Sequence, residues 1–286
     1  MKKEHIGMLF VFLSALCFSI NGLLIKLFTW SAMGINAVGN LIGTITIIAY
    51  MILSKKKFVI NMPVVFGSIL VFLTNLLTTY ANKMTTAANA VVLQFTMPIF
   101  IIAAMWLFFR EKPKKIDVIT TFFVILGIVF FVVDGLSVGN WLGNFVALLS
   151  GLTCAGVYML EKIPKNDSFS AIVIGKALCF FVGAPAVLSE PALTETAVLG
   201  MIIYGVVQCG LGYVFLPMGL KYAKPISASL LSSAEPILAP LWVALFYPSE
   251  QVTGIALAGA VIVMVSLVIY NVIKVKENKG RVDIYV

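Results

Sequence analysis

Two charged residues stand where charges are expensive. Lys176 lies seven residues into one long apolar run and Glu235 nine residues into another. If both runs are helices entering a bilayer from the same side, 1.5 Å per residue buries the two charges roughly 10 to 14 Å deep. Ionisable groups at that depth face protein or water and mark sites. Glu235 can bind a cation or take up a proton. Beside it, Pro236 has no N–H and so leaves a backbone carbonyl unbonded at the same level. The competing reading of Glu235 is structural, a Glu-Pro unit hydrogen-bonded to a neighbouring helix end. Lys176 can pair with Glu235 as a gate or brace, can bind a carboxylate, or can snorkel to the interface.

Uncharged polar residues recur at helical spacing around these two. Asn75, Thr78, Thr79 and Asn82 fall at i, i+3, i+4 and i+7, one continuous polar stripe. Asn36, Asn40 and Gly43 share a face, as do Asn144, Gly151 and Tyr158, then Tyr204, Gln208 and Gly212, and Ser14 with Asn21. Gln94 precedes Pro98 by one turn, and Ser232 precedes Pro236 in the same way. Such residues either line a wet cavity or hold helices together. The candidate set is therefore Glu235, Lys176, Gln94, Asn75, Thr78, Thr79, Asn21, Ser232, Tyr158, Tyr204 and Gln208, with Pro98 and Pro236 as helix breaks. Lys26 and Lys83 lie near the ends of runs, where snorkelling accounts for them.

Other chemistries find little support. The single histidine, His5, sits at the N-terminal edge, so no histidine-based metal site or triad can be built. Cys17, Cys154, Cys179 and Cys209 lie inside apolar runs in no metal-binding spacing and read as small packing residues. No Gly-rich phosphate cradle occurs, so neither a cofactor nor ATP is expected. An intramembrane enzyme would need a convergent acid, base or nucleophile, and only Glu235 and Lys176 qualify.

The elements that must position these residues follow from hydropathy. Of the 286 residues 61% are hydrophobic and 11% charged, a balance that excludes a soluble fold. Ten apolar runs are each long enough to cross the hydrocarbon as a helix, over residues 6–28, 33–53, 64–82, 86–109, 116–133, 140–160, 169–189, 196–219, 226–247 and 252–273. They are continuous and lack the alternation of a β-barrel. The first run is flanked by Lys2 and Lys3 but exceeds a signal-peptide core, so it is retained as a span. Trp30 and Trp141 at run ends read as interfacial residues, and Trp106 and Trp242 as packing ones.

The net charge of +8 is topological rather than a footprint for nucleic acid. Seventeen of the twenty basic residues fall at the termini and in every second connection: Lys2 and Lys3, Lys55 to Lys57, Arg110 to Lys115, Lys162 and Lys165, Lys221 and Lys224, and Lys274 to Arg281. The positive-inside rule makes that side cytoplasmic, with both termini inside. The opposite connections carry Asp134, Glu190, Glu195 and Glu250.

The chain also repeats. AVVLQFTMPIF over 90–100 superposes on ASLLSSAEPIL over 228–238 at an offset of 138, matching Ala90 with Ala228, Pro98 with Pro236 and Ile99 with Ile237. Five spans per half is an odd number, so the halves enter the membrane from opposite sides, the arrangement of an inverted-repeat carrier.

On these residues, the segment from Ala87 to Glu111 and that from Pro225 through Glu235 and Pro236 to Glu250, the chain resembles the drug/metabolite transporter superfamily, in its EamA-type branch. The resemblance implies an all-α integral membrane protein of ten transmembrane helices in two inverted five-helix repeats, residues 1–135 and 136–275, followed by a tail over 276–286 expected to be disordered. It implies a central cavity lined by helices one, three, four, six, eight and nine. The expected function is alternating-access secondary or facilitative transport of a small polar organic metabolite, amino-acid-like or related, by export or exchange. The expected location is the cytoplasmic membrane. The expected partners are a small-molecule substrate and the lipid bilayer, with no nucleic acid, and a homodimer is left open. The alternative is a lipid or undecaprenyl-linked carrier translocase.

Overall fold

The computed structural model describes residues 2–85, 87–133, 141–236, 238 and 242, together with 254–255, 258–259, 261–262, 265–266, 268–270 and 272–273. Asp134, Glu250, the tail and much of the expected tenth span lie outside the described residues. Within them all regular structure is helical. Among the described residues six helices are long and apolar enough to cross a membrane: Lys3–Ile25, Ala32–Leu53, Met62–Met84, Trp141–Tyr158, Ser168–Val187 and Glu195–Leu220. Met97–Leu107 is a shorter apolar helix. Their outward faces carry Leu53, Phe66, Phe108, Phe122, Phe181 and Leu188, a surface suited to hydrocarbon rather than to water.

The helices are α1 (Lys2–Ser19), α2 (Asn21–Lys26), α3 (Ala32–Leu53), α4 (Met62–Met84), α5 (Ala87–Gln94), α6 (Met97–Leu107) and α7 (Lys115–Val133). They continue with α8 (Trp141–Tyr158), α9 (Ser168–Val187), α10 (Glu195–Ile203), a π-helical segment (Tyr204–Leu211), α11 (Gly212–Leu220) and α12 (Pro225–Ser232). Local chemistry fixes the starts. Ser31, Asn61, Asp167 and Thr194 stand just before α3, α4, α9 and α10, and each side chain accepts from a first-turn N–H. Pro63 and Pro225 occupy first-turn positions, where their missing N–H costs nothing.

Two of the apolar runs, those containing Pro98 and Pro236, are interrupted. The fourth run divides into α5 and α6 at Phe95 and Thr96, and the ninth turns at Ser233 and Ala234 before helix resumes at Glu235. In each case a proline follows the break closely, Pro98 or Pro236, and its ring cannot share space with the carbonyl one turn earlier. The two breaks lie 138 residues apart, α5 ending at Gln94 and α12 at Ser232. The first run is also kinked, at Ile20.

Packing follows the same exchange of halves. Helix α3 packs on α9, α4 on both α8 and α9, α1 on α11, and α3 on the π segment. Swapping each element for its counterpart maps α3–α9 onto itself and turns α4–α8 into α11–α1. Close approach is made possible by glycine. A Cβ at Gly43 would stand 2.6 Å from the Cys209 carbonyl oxygen, and one at Gly210 would stand 2.7 Å from Thr46 Cβ, so α3 and the π segment meet backbone to backbone.

Candidate functional site

The breaks and the kink converge on a cavity. It has an empty volume of about 630 Å³ and is lined from Phe18 and Asn21 of the first span, Asn75, Thr78 and Thr79 of α4, Gln94 and Met97 at the α5–α6 break, Tyr158 of α8, Tyr204, Gln208 and Tyr213 of the π segment and α11, and Glu235. A helix break places its free backbone groups and its side chains at the cavity wall, which is where non-helical backbone is tolerated at membrane depth.

Glu235 lines this space and makes no hydrogen bond to any described residue. It starts the helical turn after the break, with Ser232 one turn before it. Ser232 is fully buried and accepts from Tyr158 Oη at 2.7 Å. Opposite, Gln94 Nε2 donates to Thr78 Oγ1 at 2.9 Å, bracing the α5 end against α4.

Lys176 does not pair with Glu235 and does not snorkel. Its side chain is fully buried, and Nζ donates to Asn40 Oδ1 at 2.7 Å and Asn75 Oδ1 at 3.2 Å while lying 3.8 Å from the centre of the Tyr213 ring. Asn40 Nδ2 in turn donates to Asn36 Oδ1 at 2.8 Å. Among the described residues this buried amine is held by neutral acceptors and a ring face, and it lies within a short reach of the cavity, since Asn75 belongs to both.

Of the residues singled out by spacing, Asn21, Asn75, Thr78, Thr79, Gln94, Tyr158, Tyr204, Gln208 and Glu235 come together around one space. Ser232 and Lys176 stand directly behind that wall. Other members of the same stripes do not reach it. Asn36 and Asn40 form the lysine's polar nest, and Asn82 donates to the Thr78 carbonyl at 2.9 Å. Asn144 accepts from Thr85 Oγ1 at 3.0 Å, and Ser14 donates to the Gly212 carbonyl at 2.8 Å. Lys83 donates to the Phe28 carbonyl at 3.0 Å, and the Lys26 side chain is outside the described set. Among the described residues no group of three His, Cys, Asp or Glu could hold a metal ion.

The tryptophans redistribute as well. Trp141 is exposed as an interfacial residue should be, but Trp30 is buried and donates to the Pro191 carbonyl at 2.7 Å. Trp106, expected to pack inside, faces outward, and Trp242 donates to Ser19 Oγ at 2.8 Å.

This architecture has relatives. The EamA-like transporter family is matched twice along the chain, over residues 5–133 and 141–272. The chain belongs to the EamA-like transporter family. The family is one of transporters rather than of enzymes, and it places this protein among multi-pass membrane proteins that move small molecules. Solute carrier family 35 member G1 of Homo sapiens is 25% identical over 91% of this chain and 77% of its own length. A protein known from a crystal structure superposes with a TM-score of 0.73 at 16% identity, covering 93% of this chain and 97% of the other, and so shares its fold.

In this EamA-like transporter the polar lining residues missed by spacing are Thr74 and, more consequentially, Tyr213. Regular α-helical geometry puts Gly212 on the face of Tyr204 and Gln208. The π segment closes i→i+5 bonds, and the extra residue per turn carries Tyr213 to the cavity in its place. Gly212 instead lies against Phe18. The available signal was Gly205, Gly210 and Gly212 within one short stretch. A second signal was the repeat offset itself, which pairs Tyr213 with Asn75.

Proposed function

We propose that the protein is a secondary or facilitative carrier of a small polar organic metabolite, with ten spans in two inverted halves that expose the central cavity to one side of the cytoplasmic membrane at a time. The observation that carries this reading is the position of Glu235. A carboxylate with no hydrogen-bond partner among the described residues lines a cavity built by both halves, at the level where two matched helices break. A carboxylate so placed binds a cationic group of the solute or a coupling proton, while the amides and hydroxyls of Asn21, Asn75, Gln94 and Gln208 orient the remainder. Family membership supports transport, and the alternation of basic residues supports cytoplasmic termini. The lining holds no Lys or Arg among the described residues, which favours a soluble metabolite over a lipid-linked phosphate.

The experiment is transport by purified protein in proteoliposomes under an imposed solute or pH gradient, wild type beside Glu235→Gln. Gradient-dependent flux in the wild type that collapses in the variant is the expected result. Equal flux and equal pH dependence in both would dismiss Glu235 from the mechanism.

A further inference from the structure

Building on that reading, we infer that Tyr213 is the group that receives an acceptor oxygen of the solute, with Lys176 and Asn75 acting behind it as positioning residues. The argument is a sequence of donors. The ammonium of Lys176 can only donate, so the side-chain oxygen of Asn75 must face it, as the 3.2 Å contact shows. The Asn75 amide nitrogen therefore points the other way, and its two protons are assigned. One goes to the Val71 carbonyl at 2.8 Å and the other to Tyr213 Oη at 3.1 Å.

Tyr213 Oη thus accepts from Asn75, and its own proton has no acceptor among the described residues. The phenol lines the cavity, so that proton is offered to whatever occupies it. Its ring is held on two sides, by Lys176 Nζ over the face and by Phe18 in a T-shaped contact with centroids 5.0 Å apart. The result is a fixed donor at the end of a chain that begins at a buried positive charge, and such chains polarise their last member. Glu235, when ionised, offers acceptors at another point of the same wall. The cavity is therefore bipolar, and the solute class it fits carries an acceptor oxygen, a carboxylate or an amide carbonyl, apart from a donor-bearing nitrogen.

Three probes separate the possibilities: short α-amino acids, the matching α-amino amides, and the amines left when the carboxylate is removed. Binding is measured by calorimetry on the full-length protein in lipid nanodiscs. For the wild type, the acid or the amide binds more tightly than the amine. Preference for the acid alone assigns the oxygen to a carboxylate, and equal preference for acid and amide assigns it to a carbonyl. Tyr213→Phe keeps the ring and both its contacts, and is expected to lose roughly tenfold to a hundredfold in affinity for the oxygen-bearing probe, leaving the amine unchanged.

Asn75→Asp supplies the readout that a merely structural role would not move. A carboxylate there still holds Lys176 but turns the position into an acceptor, drawing the Tyr213 proton away from the cavity. It is expected to lose as much as Tyr213→Phe, and combining the two is expected to lose little more. A preference for oxygen that survives Tyr213→Phe, or full affinity in Asn75→Asp, overturns the inference and leaves the carrier reading standing. No binding of any probe to the wild type also overturns the inference, while the carrier reading stands or falls on gradient-dependent flux in proteoliposomes.

Discussion

Asn75 and Tyr213 share a hydrogen bond of 3.1 Å and are 138 residues apart, the same offset that superposes the two halves of the chain. Equivalent positions of two repeats can touch only at the axis that relates them. The axis therefore passes between these two side chains, beside the cavity and over the buried ammonium of Lys176. A contact on the axis maps onto itself when the halves exchange shapes, whereas a contact off the axis must be remade.

That distinction can be tested by cross-linking. Cysteines at positions 75 and 213, bridged by a short bis-thiol-reactive reagent, are expected to cross-link with the same yield whichever way a solute gradient points. Cysteines replacing Tyr158 and Ser232, whose 2.7 Å hydrogen bond lies off the axis, are expected to change yield with the gradient. Equal behaviour of both pairs would remove the axis from the transport cycle.

Glu235→Gln keeps the size and the helix break and removes the charge. Flux driven by a pH gradient is expected to fall by about an order of magnitude or more, in line with the loss of a charge-assisted contact, while the folded protein is retained. Size-exclusion chromatography and flux in proteoliposomes measure the two effects separately.

Gly43→Ala places a methyl group 2.6 Å from the Cys209 carbonyl, a contact that only a shift of backbone can relieve. Overpacking of this kind costs about 1 to 3 kcal/mol, read as a lowered Tm in detergent. Gly254→Ala is the control, since a Cβ there meets nothing within 4 Å, and its Tm is expected to stay within experimental error.

Ser31→Ala removes the side chain that caps α3 at Gly34 N and that also donates to Glu190. Loss of a helix cap costs about 1 kcal/mol, here with the added loosening of a clasp between the 27–31 and 188–194 connections. By contrast, Glu111→Ala breaks an ion pair with Lys162 at 2.8 Å that is largely open to solvent, and is expected to cost less than about 1 kcal/mol. Comparing the two by thermal unfolding ranks a directional cap against a solvated charge pair.

Much of this was legible in the sequence because the bilayer enforces simple rules. Long apolar runs, basic residues in alternate connections, and two prolines at one offset suffice to indicate a membrane protein with a repeated architecture. The polar residues that converge, Asn75, Thr78, Thr79, Gln94 and Glu235, share helix faces that periodicity exposes directly. Periodicity fails where helices stop being regular. Tyr213 was hidden by the π segment, whose register differs from 3.6 residues per turn, and the division of the fourth run at Phe95 had no marker beyond Pro98. Lys176 was misjudged for another reason: depth alone does not reveal that Asn40, on what looked like a wet face of α3, would turn inward as its partner, backed by Asn36.

The matched breaks of the two halves are alike in backbone and unlike in chemistry. The position equivalent to Glu235 is Met97, so a carboxylate stands after one break and a thioether after the other, 3.6 Å from Cys154 Sγ. On the proposed alternating-access cycle, the two conformations are related by a pseudo-two-fold exchange in shape but not in energy, because Glu235 travels with one half only. A proton gradient that acts on this carboxylate then favours one conformation over the other. Symmetry makes the machine reversible in form; one residue lets it rectify.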